Sequence, residues 1–267
     1  MHKYLTLGLA ALGLLALART ADAAPEGMAE TASGPANETR SVDPRVVRVQ
    51  IDGAVELRIR QGSPAMLVLT GEPRWLARLM TEQSGDTISI GGGGPGAGVR
   101  SLRLIQDPVR AELVLPQLRE VSSDGLGTVD IRGFSGEQLE LALDGAGAMT
   151  VNVDYRFIRA GLGGVGSLQL ASMRSERIEL DLHGAGQVSL AGQSKSLRAD
   201  LSGLGGLDAR RFSVETVTLD LSGLGSATVT ANQNATLNLS GLGSVTVYGK
   251  PLNRKVSIDG LGKVSWK

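Results

Sequence analysis

The side chains able to do chemistry are few and far apart. Histidine occurs at His2 and His183 only, so a Ser-His-Asp arrangement in an exported, processed chain would rest on His183 alone. His183 takes a turn position that Ser202, Ser222 and Ser240 fill elsewhere, which favours a role in satisfying the turn backbone over proton transfer. For hydrolysis by paired carboxylates, Asp181 and Asp200 or Asp220 can stack on one exposed strand face, whereas Asp144 and Asp259 fall in turns. Solvated charge on an outward face accounts for the same residues. With no cysteine in the chain, a thiolate nucleophile, a thiolate metal site, a disulfide framework and a lipobox cysteine are all excluded.

Two further patterns invite a ligand. The run Gly91-Gly92-Gly93-Gly94-Pro95-Gly96-Ala97-Gly98 has the glycines of a phosphate cradle, but no Lys-Ser or Lys-Thr follows and no helix opens behind it, so a surface loop is expected. Asp124, Asp144 and Asp259 recur at one turn position, as in a calcium ladder. The intervening turns carry Gly163, His183, Ser202, Ser222 and Ser240 instead, and the short acidic repeat of calcium-binding solenoids is missing. No catalytic, cofactor or metal site is assigned.

What repeats is glycine. A phrase best seen at Leu237–Val247, with an Xaa-Gly-apolar-Gly turn between two alternating strands, recurs eight times. Its central glycines are Gly125, Gly145, Gly164, Gly184, Gly203, Gly223, Gly241 and Gly260, at spacings of 20, 19, 20, 19, 20, 18 and 19 residues. A fixed period of this size marks a solenoid whose coils stack. In Leu219–Ser222 and Thr228–Thr230 apolar residues take every second place, so one face of each strand is buried. Successive coils run the same way, which makes the fold all-β, a single-stranded parallel β-helix of 19 to 20 residues per coil and about 34 Å over seven intervals. The glycines are expected to supply positive φ or a bulge at a corner. Between them stand Leu126, Ala146, Val165, Ala185, Leu204, Leu224, Leu242 and Leu261. These are expected to pack inward as a corner stack; the alternative is an exposed apolar ridge that binds a partner.

Composition agrees with a slim tube. Aromatic residues make up 3% of the chain and glycines number 37, too few large side chains for a thick globular core. The 27 basic and 27 acidic residues balance, so no field favours nucleic acid or an anionic membrane. Residues 1–23 read as a signal peptide: a basic start at Lys3, an apolar run from Leu5 to Ala18 and a small-x-small site at Ala21-Asp22-Ala23. The run is shorter than a spanning helix, and no transmembrane segment is expected after cleavage. Residues 24–42 read as a disordered tether.

The domain is expected over 43–267, with degenerate coils and a cap over 43–120 and regular repeats over 121–267. Strands are expected from Val47 to Ile51, Val55 to Arg60 and Ala65 to Thr70, and Asp52-Gly53-Ala54-Val55 resembles the later repeat. Glu72–Glu82 is the helical candidate, with Pro73 in its first turn and Leu76, Leu79 and Met80 at helical spacing. Together with Trp75 it is read as the N-terminal cap. Each regular coil also carries a second, variable turn, for example Gly133–Gly136, Ser172–Ser175 and Gly192–Lys195.

The Ser240–Val247 rung, Ser-Gly-Leu-Gly-Ser-Val-Thr-Val, the opening Val49–Leu57 and the signal peptide together resemble the putative auto-transporter adhesin, head GIN domain family of exported bacterial proteins. The resemblance runs from about Val46 to Lys267. It implies a parallel β-helix, usually right-handed, without established enzymatic activity. Gly-Leu-Gly or Gly-Ala-Gly stands here where that family's name carries Gly-Ile-Asn.

The functional expectation is an exported, non-enzymatic adhesion or scaffolding module, periplasmic or surface-associated, whose partner is an envelope protein or polysaccharide. The alternative is a carbohydrate-active β-helix enzyme, which would need a groove holding paired carboxylates or a carboxylate and a base. A cluster of Lys250, Arg254, Lys255, Lys263 and Lys267 against Asp259 closes the chain, with Trp266 able to cover the core. It is read first as protection of the last edge strand, keeping the chain monomeric, and second as a partner patch.

Overall fold

The computed structural model describes residues 35–92 and 109–267. The expected signal peptide, most of the expected tether and the glycine run beyond Gly92 lie outside them. In chain order the elements are β1 (Ala36–Ser41), β2 (Arg48–Asp52), β3 (Val55–Gln61), β4 (Met66–Gly71), α1 (Pro73–Leu76), β5 (Leu79–Ser84), β6 (Thr87–Gly92), β7 (Val109–Leu115), β8 (Glu120–Ser123), β9 (Thr128–Leu143), β10 (Ala148–Leu162), β11 (Ser167–Leu182), β12 (Gln187–Leu201), β13 (Gly206–Leu221), β14 (Ser226–Leu239), β15 (Ser244–Tyr248), β16 (Asn253–Ile258) and β17 (Lys263–Trp266).

From β9 to β14 each strand lies parallel to the next, one coil further along, and β15 and β16 together stack on β14. This is the stacked β-solenoid that the glycine period implies. Each coil has an entry face, which follows the glycine corner, and an exit face, which leads into the next one. Columns of like side chains run through both. On the exit face Leu162, Leu182, Leu201, Leu221 and Leu239 align, and on the entry face Met149, Leu168, Val188, Leu207 and Ala227; all are buried. The coil 167–182 buries Leu168, Leu170, Ile178, Leu180 and Leu182, each worth ~1.5–3 kcal/mol when fully removed from water. A single coil cannot bury them by itself, so each coil depends on its neighbours.

The variable turns of β9 to β14 are bends inside continuous strands rather than breaks. Register shifts there, as between Asn152 and Asp154 on β10, absorb the changing coil length. Gly133 bends β9 with φ of 83°. Large buried side chains stand near these bends, Phe134 on β9, Tyr155 on β10 and Phe212 on β13, and the Tyr155 hydroxyl donates to the Leu118 carbonyl at 2.6 Å.

The N-terminal coils are the same architecture out of sequence order. β2 and β3 pair in parallel with β8 and β9, and the opposite edges of β2 and β3 pair in parallel with β6 and β7. The chain thus lays down β2 and β3, passes to their far side for β4 to β7, and crosses back to resume with β8. Gly53 forms a corner beneath Gly125: Asp124 and Leu126 donate their N–H groups to Ile51 and Gly53 at 3.0 Å each. The degenerate repeat at Asp52–Val55 is therefore a true rung.

Two expectations fail at this end. Ala36–Ser41 is not tether but strand β1, paired antiparallel with β4 from Ala36↔Gly71 to Ser41↔Met66. Its polar side chains remain largely exposed, so backbone pairing along an edge holds it and no hydrophobic alternation marks it in the sequence. The helix expected over Glu72–Glu82 shrinks to the four residues of α1, and Leu79–Ser84 forms β5, antiparallel to β6. Glu72 makes no side-chain cap, and Met80, which the helical pattern would bury, is 51% exposed. The solenoid is closed by the antiparallel strands β1, β4 and β5, with Trp75 packed against the core under the guanidinium groups of Arg74 and Arg78 at 5.3 and 5.4 Å. No described helix is long and apolar enough to cross a membrane.

Candidate functional site

The glycine corner is the most regular surface of the molecule. As far as the coil of Leu204, the N–H of the residue after the central glycine donates to the preceding coil's central glycine carbonyl: Ala146 to Gly125 at 3.1 Å, and Val165, Ala185 and Leu204 to Gly145, Gly164 and Gly184 at 3.2 Å. The strand ladder thus continues around the turn. Positive φ is not the reason for glycine here, because of the eight central glycines only Gly260 has it. At Gly125, Gly145, Gly164, Gly184, Gly203, Gly223, Gly241 and Gly260, a Cβ would point along the solenoid axis, less than 3.0 Å from the carbonyl oxygen of the corner glycine one coil earlier. Glycine is required by the closeness of one coil to the next.

That geometry settles where the intervening residue goes. The inward stack expected for it is overturned: Val165, Leu204, Leu224, Leu242 and Leu261 are 65%, 66%, 58%, 60% and 83% exposed, and Leu126 is 42% exposed. Ala146 and Ala185 are exposed as well. The core at the corner is already filled by the columns ending in Leu221 before the turn and Ala227 after it, so the residue between the glycines points to water. The eight form a single-file apolar ridge along the edge of the solenoid. Val165, Ala185, Leu204 and Leu224 line a shallow groove of about 620 Å³ with Gln187 and Ser226 on its polar side.

Polar rows flank the ridge. Asp124, Asp144, Gly163, His183, Ser202, Ser222, Ser240 and Asp259 are exposed on one side, and His183 Nδ1 hydrogen-bonds Ser202 Oγ at 2.7 Å, one coil on. Further back on the exit face, Asp181, Asp200 and Asp220 do stack in register. Burial, reinforced by the neighbouring carboxylates, raises the Asp200 pKa despite the pull of Arg198. Arg198 lies 3.4 Å from Asp200 and 3.6 Å from Asp220, and Asn238 Nδ2 donates to Asp220 at 2.6 Å. A second groove, of about 410 Å³, lies at the N-terminal end between Asp52, Glu82, Asp124 and Met80. Among the described residues no three acidic or histidine side chains are gathered as metal ligands.

The five basic residues near the C-terminus are spread over the last two strands and the segment before them. Lys250 follows the bend at Gly249, Lys255 is on the outer side of β16 and Lys263 on that of β17. Arg254 and Lys267 instead reach aromatic rings, Trp266 at 4.6 Å and Tyr248 at 5.9 Å.

Residues 47–251 match the family model described as putative auto-transporter adhesin, head GIN domain. The chain belongs to this family. The last coil, with β16 and β17, lies beyond the matched span. No curated protein matches the head GIN chain. Among solved structures it is similar to a putative adhesin from Parabacteroides distasonis, with 17% identity and a TM-score of 0.79 over 88% of this chain and 98% of that one. A putative adhesin from Parabacteroides merdae gives 16% and 0.77 over 88% and 97%. A second Parabacteroides distasonis protein, named a putative lipid binding protein, gives 16% and 0.74 over 88% and 98%. At these identities the likeness is one of fold.

Proposed function

We propose that this head GIN chain is an exported, non-enzymatic binding module of the bacterial cell envelope, acting in adhesion or scaffolding, and that the leucine ridge is its binding surface. The observation that carries the reading is the ridge itself. Soluble proteins scatter single exposed apolar residues, but an unbroken apolar line marks an interaction site. The names of the structural neighbours, adhesins and a lipid binding protein, agree with a binding role. The carbohydrate-active alternative needs a free carboxylate pair or a carboxylate and base in a groove. The Asp181–Asp200–Asp220 stack instead lies on a strand face engaged by Arg198 and Asn238, and among the described residues His183 bonds Ser202 with no carboxylate on its ring to orient it as a base.

Export is tested by expressing the full chain with a C-terminal epitope in a bacterial host, then fractionating the cells and treating intact cells and spheroplasts with protease. The tagged chain is expected in the envelope or periplasmic fraction and to be cleaved in spheroplasts. Retention of an uncleaved, protected chain in the cytoplasm contradicts the reading.

A further inference from the structure

The binding-module reading leaves the partner open, and the corner narrows it. We infer that the ridge docks on a neutral, zwitterionic lipid bilayer, lying lengthwise on the membrane with its leucines in the boundary between headgroups and acyl chains.

Three observations lead there. The first is shape. Leu204, Leu224, Leu242 and Leu261 follow one another on consecutive coils, about 4.8 Å apart, in single file and 58–83% exposed. A stable protein–protein interface uses roughly 20–30 residues a side around a packed centre, whereas a ridge one residue wide offers eight. A bilayer surface needs no matching trough and yields to a straight line of short apolar side chains.

The second is charge. Along the stretch from Leu204 to Leu242 the flanking positions are Ser202, Ser222 and Ser240 on one side and Gly206, Ser226 and Ser244 on the other. No lysine or arginine stands there to attract anionic headgroups; Asp124 and Asp144 near one end of the ridge would be repelled by them, and at the other end the single cation in the flanking rows, Lys263 beside Leu261, stands opposite Asp259. A zwitterionic surface fits both facts.

The third is the backbone. A turn lowered toward hydrocarbon ordinarily carries unpaired N–H groups, each costly there. Here the Val165, Ala185 and Leu204 N–H groups already donate to glycine carbonyls of the preceding coil, and the residues on either side of each are glycines without side chains. From Val165 to Leu204 this N–H enters lipid already paired.

The absence of cysteine allows a local test that is blind to the apolar N-terminal segment. In the full chain, Ser222→Cys places an environment-sensitive dye beside the ridge, and Glu215→Cys places one on the bend at the opposite side of the coil. Both proteins are titrated with phosphatidylcholine vesicles, with and without brominated chains. The dye at Ser222 is expected to shift blue and be quenched by bromine, and the dye at Glu215 to do neither. Phosphatidylglycerol is not expected to tighten binding nor salt to weaken it. Leu204→Ser, Leu224→Ser and Leu242→Ser together are expected to weaken the Ser222 response by at least about tenfold, since each removes a buried aliphatic group from the contact. Leu224→Ser alone serves if the triple variant melts below its parent.

No response at Ser222, a response confined to anionic vesicles and lost in salt, or a dye shift without lipid that tracks a doubling of mass in light scattering would each overturn the proposal. The last would make the occupant a second copy of this chain. If the leucine variants lose binding to native envelopes while phosphatidylcholine vesicles are not bound at all, the ridge remains a binding surface and only its assignment to lipid fails.

Discussion

Arg254 lies over Trp266, its guanidinium carbon 4.6 Å from the ring centroid, in the column that Ala235 occupies one coil earlier. In every preceding coil of the regular repeat that column is apolar: Leu139, Ile158, Ile178, Leu197, Val217 and Ala235. The last coil ends it with a cation stacked on an indole. A charged group at a core position of the terminal strand is a known means of refusing a further strand. For Arg254 this geometry fits the proposal of edge protection. Replacing Lys250, Arg254, Lys255, Lys263 and Lys267 by serine or threonine is expected to produce end-to-end aggregates in light scattering, where the parent gives none. A variant that stays monomeric but loses envelope binding would make these residues a partner patch instead.

Two kinds of glycine are predicted to respond differently to substitution. Gly223 lacks room, since a Cβ there meets the Gly203 carbonyl; Gly133 lacks only a favourable φ, with no heavy atom within 4 Å of the place a Cβ would take. Gly223→Ala and Gly223→Asn should both destabilise by on the order of 1–3 kcal/mol, the usual range for overpacking. Gly133→Asn should cost clearly less than Gly133→Val, because asparagine tolerates positive φ. Thermal melts decide it, and an asparagine that rescues Gly223 would restore the dihedral explanation.

How much of the fold is legible in the sequence follows from the same residues. Glycine spacing exposes the coil length and even the stray rung at Gly53, because backbone stacking leaves no substitute for glycine. β1 is invisible, since its contribution is backbone pairing at an edge and its side chains carry no pattern. The short apolar set Leu76, Leu79 and Met80 fits one helical turn as well as the start of a strand, which hides β5. The ridge has a usable signal that the corner-stack reading passes over. Period-two alternation continues through the turn, from Leu221 inward and Ser222 outward to Leu224 outward and Ala227 inward. Counting parity across the glycines places Leu224 with the serines in water.

Tyr155 gives a pH signature. Burial pushes its phenol up from 10.0 to about 12, and its hydroxyl donates to Leu118. A folded-state pKa above the unfolded value means the phenol's contribution is complete below pH 10.0 and lost as pH rises toward about 12. Melts between those limits should fall more steeply for the parent than for Tyr155→Phe. At neutral pH the phenylalanine variant should be about 1 kcal/mol less stable, the usual value of one hydrogen bond. Parallel curves would place Tyr155 in solvent.

Asp200 should behave in the opposite sense to a paired surface carboxylate. Its pKa is raised by burial and by Asp220 and Asp181, so its ionised form is disfavoured by folding and stability falls as pH rises through that pKa. Asp200→Asn is expected to raise the melting temperature at neutral pH and to lose that advantage in acid, where the aspartate is protonated. Arg198 stays largely solvated and loses little with its partner. A lower melt at neutral pH would show the ion pair to dominate.

The central claim is that the exposed leucines bind and do not hold the fold together. The most direct measurement pairs two readings on one variant, Leu204→Ser/Leu224→Ser/Leu242→Ser: its thermal melt, and its binding isotherm on isolated bacterial envelopes beside the parent chain. Side chains 58–66% exposed should leave the melt within about a degree when truncated, as surface substitutions do, while envelope binding should fall by at least about tenfold. A parent-like isotherm, or a melt that collapses with the leucines, would contradict it.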